Sequence, residues 1–173
     1  MPMNPPLKYK QLIEAYREFS SFTPIFTPTG FRDGIVQHLS RDAEYLITTR
    51  IDNDDAFHRD AVSVIQQHFT GQELEFLNFP LGYEYTYPGN DIFLKVRLSN
   101  AFIGFVEKLT REPFKTVRCG HHGHLREVGP IKQIDSAPYW LQVIHEKNMS
   151  NVVKGTPCSA GDLRESFGIT NER

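Results

Sequence analysis

The run Asp52-Asn53-Asp54-Asp55 follows directly on the apolar, β-branched stretch Leu46-Ile47-Thr48-Thr49-Arg50-Ile51. Such a stretch predicts a buried strand, so three carboxylates are delivered together at its end. Carboxylates this close repel one another, and beside a buried strand they need a hard cation or a set of hydrogen-bond donors to offset their charge. Oxygen ligands of this kind suit Mg²⁺ or Mn²⁺, and those ions in turn suit diphosphates. The plainer alternative is that Asp54 or Asp55 N-caps a helix starting near Ala56. Capping uses one Asp, however, and leaves the others unexplained.

Histidines are the second source of chemistry. Tyr139-Trp140-Leu141-Gln142-Val143-Ile144 is another apolar strand and ends at His145, whose imidazole a sheet could bring to the same rim to complete the shell of a Mn²⁺ ion. The alternative for His145 is a strand-end side chain bonded to backbone. Cys119-Gly120-His121-His122-Gly123-His124 contains the ligand types zinc prefers. Sequence neighbours cannot all face one tetrahedral ion, though, and no separate cluster supplies further ligands. A Gly-flanked loop whose histidines reach a phosphate, a sugar hydroxyl or solvent fits better.

The elements that must position these groups fall into two halves. Leu12, Ile13, Tyr16 and Phe19 predict a helix over 7–20. A short strand over 22–27, a helix over 31–39, a strand over 45–51 and a helix over 55–69 follow, which together imply a parallel α/β unit. The second half changes to short aromatic strands at 75–80, 82–87, 92–98 and 101–106. A hairpin turn is expected at 87–91, a loop region at 110–136 and a capped helix at 159–167. The fold expected is therefore α/β, a mixed and mainly parallel sheet flanked by helices, with an antiparallel, hairpin-rich second half. In open α/β sheets ligands bind beyond the carboxyl ends of the strands, where Asp52 to Asp55 would sit.

Composition narrows the setting. The 173 residues fit one domain, 1–173, and a net charge of −2 gives no basic excess for binding nucleic acid. Cys119 and Cys158 are too few and too far apart for a disulfide framework, so a reducing, cytoplasmic location is expected, with contact to the inner face of the membrane at most. No apolar run reaches the roughly twenty residues of a transmembrane helix, and Met1-Pro2-Met3-Asn4-Pro5-Pro6 lacks the apolar stretch of a signal peptide.

The acidic block, 46–56, resembles that of the rhamnosyltransferase family of bacterial and phage proteins, which belongs with the metal-dependent glycosyltransferases of the GT-A type. Three further blocks look like the same family in the same order: Asn78-Phe79-Pro80-Leu81-Gly82-Tyr83, Ala101-Phe102-Ile103-Gly104-Phe105-Val106-Glu107, and the run from Tyr139 through His145 to Asn151. Together they cover roughly 40–155. A lone Asp-x-Asp is weak evidence, whereas four ordered blocks are stronger.

The resemblance implies transfer of a sugar from a nucleotide-diphosphate donor to a glycan or glycoconjugate acceptor. By family position Arg50, Asp52 and Asn53 would meet the donor, while Asp54, Asp55 and His145 would hold Mn²⁺ or Mg²⁺, which would neutralise charge on the leaving diphosphate. If the reaction inverts the sugar, a carboxylate must take the acceptor's proton, and Glu107 is the candidate; its alternative is a solvent-facing strand end. The chain departs from the family in one respect: only 51 residues precede Asp52 and they open with a helix, so the unit that cradles the nucleotide base is expected to be missing or to lie elsewhere. The sheet edge this leaves open could pair with a second copy or a partner chain. Two competing readings are a non-catalytic sugar-binding or assembly module and a metal-dependent phosphohydrolase. Tyr83, Tyr85, Tyr87 and Trp140 suit sugar stacking and core packing equally.

Overall fold

The computed structural model describes residues 7–18, 23–26, 30–110, 114–135, 137–148 and 152–169. The chain divides into two compact units, Met1–Ala43 and Glu44–Arg173. In the first, helix α1 (Leu7–Ala15) continues into a 3-10 turn, Tyr16–Glu18, and α2 spans Phe31–Val36. The strand expected over 22–27 is not formed at 23–26, and residues 22 and 27 lie outside the described residues.

The second unit carries the remaining elements: β1 (Tyr45–Thr49), β2 (Ala56–Phe57), α3 (Ala61–Gln67), β3 (Leu74–Asn78), β4 (Leu81–Thr86), β5 (Ile92–Val96), β6 (Gly104–Lys108), β7 (Ile131–Gln133), β8 (Trp140–Ile144), β9 (Thr156–Pro157) and α4 (Leu163–Phe167). They form two mixed sheets, one ordered β1-β6-β3-β7 and the other β2-β8-β4-β5-β9. Only the β3–β7 and β4–β8 pairs are parallel, and the other five pairings are antiparallel.

The mixed α/β character expected from sequence is present, but the mainly parallel sheet is not. A parallel crossover needs a helix long enough to return the chain along the sheet. Here α3 starts six residues later than expected, at Ala61, because Ala56–Phe57 is drawn into an antiparallel pair with Leu141 and Trp140. β1 correspondingly finds its partner far along the chain, with Leu46 opposite Glu107 and Thr48 opposite Phe105. The 87–91 hairpin forms as its composition predicts, with Asn90 in the left-handed region at φ 61° and the Thr86 amide bonded to the Asp91 carbonyl.

One core cluster gathers Ala61 and Ile65 of α3 with Leu77, Phe79, Phe102, Val106, Ile134 and Trp140. A second holds Phe76, Ile103, Phe105, Val117 and Leu125. This second cluster explains why 114–128, polar in sequence, stays ordered against the first sheet: Val117 and Leu125 anchor it in apolar contact. The capped C-terminal helix is α4, where Asp162 accepts from the amides of Arg164 and Glu165. Among the described residues no helix is long and apolar enough to cross a membrane.

Candidate functional site

β1 ends at Thr49, and residues 52–55 form a tight turn closed by the Asp55 amide on the Asp52 carbonyl. The three carboxylates of this turn are sent in three directions. Asp52 is held by Arg50, whose Nη2 lies 3.0 Å from Oδ1 and 3.1 Å from Oδ2. Asp54 Oδ2 lies 3.1 Å from His145 Nε2 and accepts from Asn148 Nδ2 at 3.1 Å. Asp55 Oδ1 accepts from the Val143 amide at 3.0 Å. β8 and the turn after it therefore answer the charge of the acidic turn, and the N-cap role is excluded because α3 begins only at Ala61, after Asp60. Asn53 sits exposed at the tip.

Asp54 and His145 are thus brought together as expected, but Asp55 is not, and the arrangement does not fit a cation shared by Asp54, Asp55 and His145. His145 Nδ1 accepts from the Lys147 amide at 3.1 Å, while Nε2 lies 3.1 Å from Asp54 Oδ2 and 3.2 Å from Asn148 Nδ2, so the ring is held at both nitrogens. Among the described residues no group of three or more His, Cys, Asp and Glu could hold a metal ion, which applies equally to Cys119 and its neighbouring histidines.

Burial pushes the Asp55 carboxyl up from 3.8 to about 6; the Val143 amide opposes this, and Asp54 and Asp52 add to it. Between those values the folded chain keeps a proton that the unfolded chain has released, so stability falls as pH rises through the window. Asp55→Asn retains an acceptor for the Val143 amide and removes the ionisation. Its melting temperature relative to wild type is expected to climb between about pH 4 and pH 6 and then level off; a constant difference across thermal melts at those values would contradict the assignment.

Glu107 departs from its expected role. It is 4% exposed, and its two oxygens accept from the amides of Lys115 at 2.7 Å and Thr116 at 2.8 Å. It does not line the cavity described below. Thr116 has φ 65°, strained for a β-branched residue, and Glu107 holds the backbone there. Glu107→Ala is expected to cost about 2–3 kcal/mol in chemical denaturation, the scale for losing charge-assisted bonds to buried amides. Wild-type stability in that variant would free Glu107 from this anchoring role.

Beside the acidic turn opens a polar cavity of about 380 Å³. Arg50 and Asp52 contribute from the end of β1, Lys95 from β5, Arg97 from just beyond it, and Lys154 from the segment before β9. Trp140 and Gln142 on β8 add to the walls. His121 and His122 close another side, their rings 4.2 Å apart. Their loop is fixed by Ser99 Oγ donating to the His122 carbonyl and by the Val117 amide donating to Thr48 Oγ1 on β1 at 2.8 Å. Burial, then His121 and the guanidinium groups of Arg50 and Arg97, hold the His122 imidazole below its ordinary value, with Asp52 pulling the other way. The ring is neutral at pH 7. His124 lies apart, exposed against Glu127.

Of the residues predicted from sequence, Arg50 and Asp52 line this cavity, whereas Asn53, Asp54, Asp55, Glu107 and His145 do not. Sequence reasoning missed Lys95, Arg97 and Lys154. The available signal was a lysine inside the apolar alternation Ile92-Phe93-Leu94-Lys95-Val96, a costly position for a charge without a partner. No family model, curated protein or solved structure matches this chain.

Proposed function

We propose that residues 44–173 bind a nucleotide sugar through its diphosphate and transfer the sugar to a glycan or glycoconjugate acceptor, as a glycosyltransferase-like unit of the GT-A kind. The observation that carries the reading is the cation-lined cavity beside Asp52. A cluster of Arg and Lys around a polar hollow is chemistry for phosphate oxygens, and a carboxylate at its edge is chemistry for sugar or ribose hydroxyls. The strand that delivers an acidic turn to a ligand-sized cavity supports the GT-A likeness, although its one sheet neighbour, β6, runs antiparallel to it.

In this reading Arg97 and Lys154 draw the diphosphate in and stabilise the negative charge that builds on it as the sugar leaves. Asp52, oriented by Arg50, accepts from donor hydroxyls. With Glu107 committed to the backbone, the neutral imidazole of His122 is the group on the cavity wall suited to receive the acceptor's proton.

The test is calorimetric titration of uridine, thymidine, guanosine and adenosine diphosphates into wild type, with Mn²⁺ and with EDTA, followed by transfer assays with the matching nucleotide sugars. Saturable one-to-one binding of at least one diphosphate, weakened by Arg97→Ala, is the expected result. Binding of none under either condition would overturn the reading, and binding only with Mn²⁺ would mean that the acidic turn rearranges to admit the ion.

A further inference from the structure

Glu84 on β4 is fully buried behind the cavity wall. One of its oxygens accepts from Lys95 Nζ, and the other accepts from the amides of Lys154 and Gly155 at 2.7 Å each. Lys95 Nζ also reaches Gln142 Oε1 at 3.4 Å. Burial alone would push the Glu84 carboxyl up, but Lys95 and the two amides outweigh it and hold the group below its ordinary value, so it is ionised at neutral pH. The segment it grips is pressed tightly against β5: a Cβ at Gly155 would come 2.7 Å from the Leu94 carbonyl oxygen.

The charge of the cavity follows from these pairings. Lys95, with its side chain 11% exposed, faces the hollow but is neutralised from behind by Glu84. Arg50 is answered by Asp52. Arg97 and Lys154 have no ion-pair partner among the described residues, so the fixed side chains leave an excess of about two positive charges rather than the four that the lining cations alone would suggest. A diphosphate esterified at both ends carries one charge on each phosphate. A free terminal phosphate, with a second pKa near 6, adds about one more at pH 7.

Resting on the reading that this cavity takes a diphosphate, we propose that the Glu84–Lys95 pair is a specificity device: by cancelling one cation inside the wall it limits the advantage of nucleoside di- and triphosphates and leaves the site matched to the dianionic diphosphate of a nucleotide sugar. Without Glu84 an additional positive charge would face the ligand, and its attraction would grow with each further negative charge. The pair therefore sets how well the sugar ester competes with the more highly charged nucleotides that share its base.

The test compares affinities for the sugar ester, diphosphate and triphosphate of one base, UDP-glucose, UDP and UTP, with the guanosine series run in parallel, in Mn²⁺ and in EDTA. Glu84→Gln is expected to shift the affinity ratio toward UTP by about fivefold to tenfold, the Coulomb scale for one extra charge in a partly solvated site. Lys95→Gln should shift the ratio the other way, and the charge-balanced double variant Glu84→Gln/Lys95→Gln should return it to the wild-type value. A purely structural pair would weaken all three ligands alike. If Glu84→Gln does not fold, the opposite shift in Lys95→Gln alone decides. Ratios unchanged in every folded variant would overturn this proposal while leaving the diphosphate site standing, whereas no binding by wild type of either series or of the thymidine and adenosine diphosphates would overturn both.

Discussion

Gly82→Ala is expected to unfold the larger unit. A Cβ at residue 82 would lie 1.9 Å from Trp140 Cδ2, 2.1 Å from Cε2 and 2.4 Å from Cε3, so the indole occupies the space that any side chain would need. The ring has nowhere to go. It is 1% exposed, stacked on Phe102 with centroids 5.0 Å apart and planes 7° from parallel, and its Nε1 donates to the Phe79 carbonyl at 3.0 Å. Its backbone is paired with Phe57 of β2, so moving the ring means moving the strand. Overpacking of this kind costs about 1–3 kcal/mol or more, and orphaning a buried donor adds about 1–3 kcal/mol. Together these approach the whole stability of an ordinary domain, roughly 5–15 kcal/mol. Trp140 is the single tryptophan of the chain, so its fluorescence reads the event directly. A red-shifted emission and no cooperative melt are expected, and a melt within a few degrees of wild type would contradict the packing.

The second large effect is on binding. Arg97→Ala and Lys154→Ala should each weaken diphosphate affinity by about tenfold to a hundredfold, the range for hydrogen bonds between charged groups, and the double variant more than either. Both residues are exposed and neither has an ion-pair partner among the described residues, so thermal stability should stay near wild type. That separation is what makes the measurement decisive. Calorimetric affinities equal to wild type would remove these cations from the site, and a parallel fall in melting temperature would reassign the loss to folding.

What could be read in advance follows a physical division. Local signals survived: the apolar run before Arg50 is a strand, Trp140 to Ile144 is a strand that stops just before His145, and the 87–91 turn joins two strands. Contacts across the chain did not. Nothing near Asp55 in sequence indicates that the Val143 amide will engage it, and nothing near Glu107 indicates that the amides of Lys115 and Thr116 will use up both its oxygens. The acidic turn itself was legible as a cluster in need of offsetting charge. Arg50 answers Asp52 from two residues away, but that the rest of the offset comes from the Val143 amide, His145 and Asn148 is information held in the pairing of β2 with β8. Charged residues within apolar strands carried the remaining signal, since Glu84 and Lys95 belong to adjoining strands and only the hairpin register brings them together.

The acidic turn is also a matter of timing. Asp54 meets His145 across 91 residues, Asn148 across 94, and Asp55 meets the Val143 amide across 88. A growing chain therefore carries two of the three carboxylates, Asp54 and Asp55, uncompensated long before the groups that answer them exist, and the cavity, which runs from Arg50 to Lys154, cannot close until nearly all of its walls have been made. Up to that moment the repulsion within Asp52-Asn53-Asp54-Asp55 keeps this stretch hydrated and apart from the apolar strand behind it. The residues that shape the finished site thus also discourage it from collapsing too early.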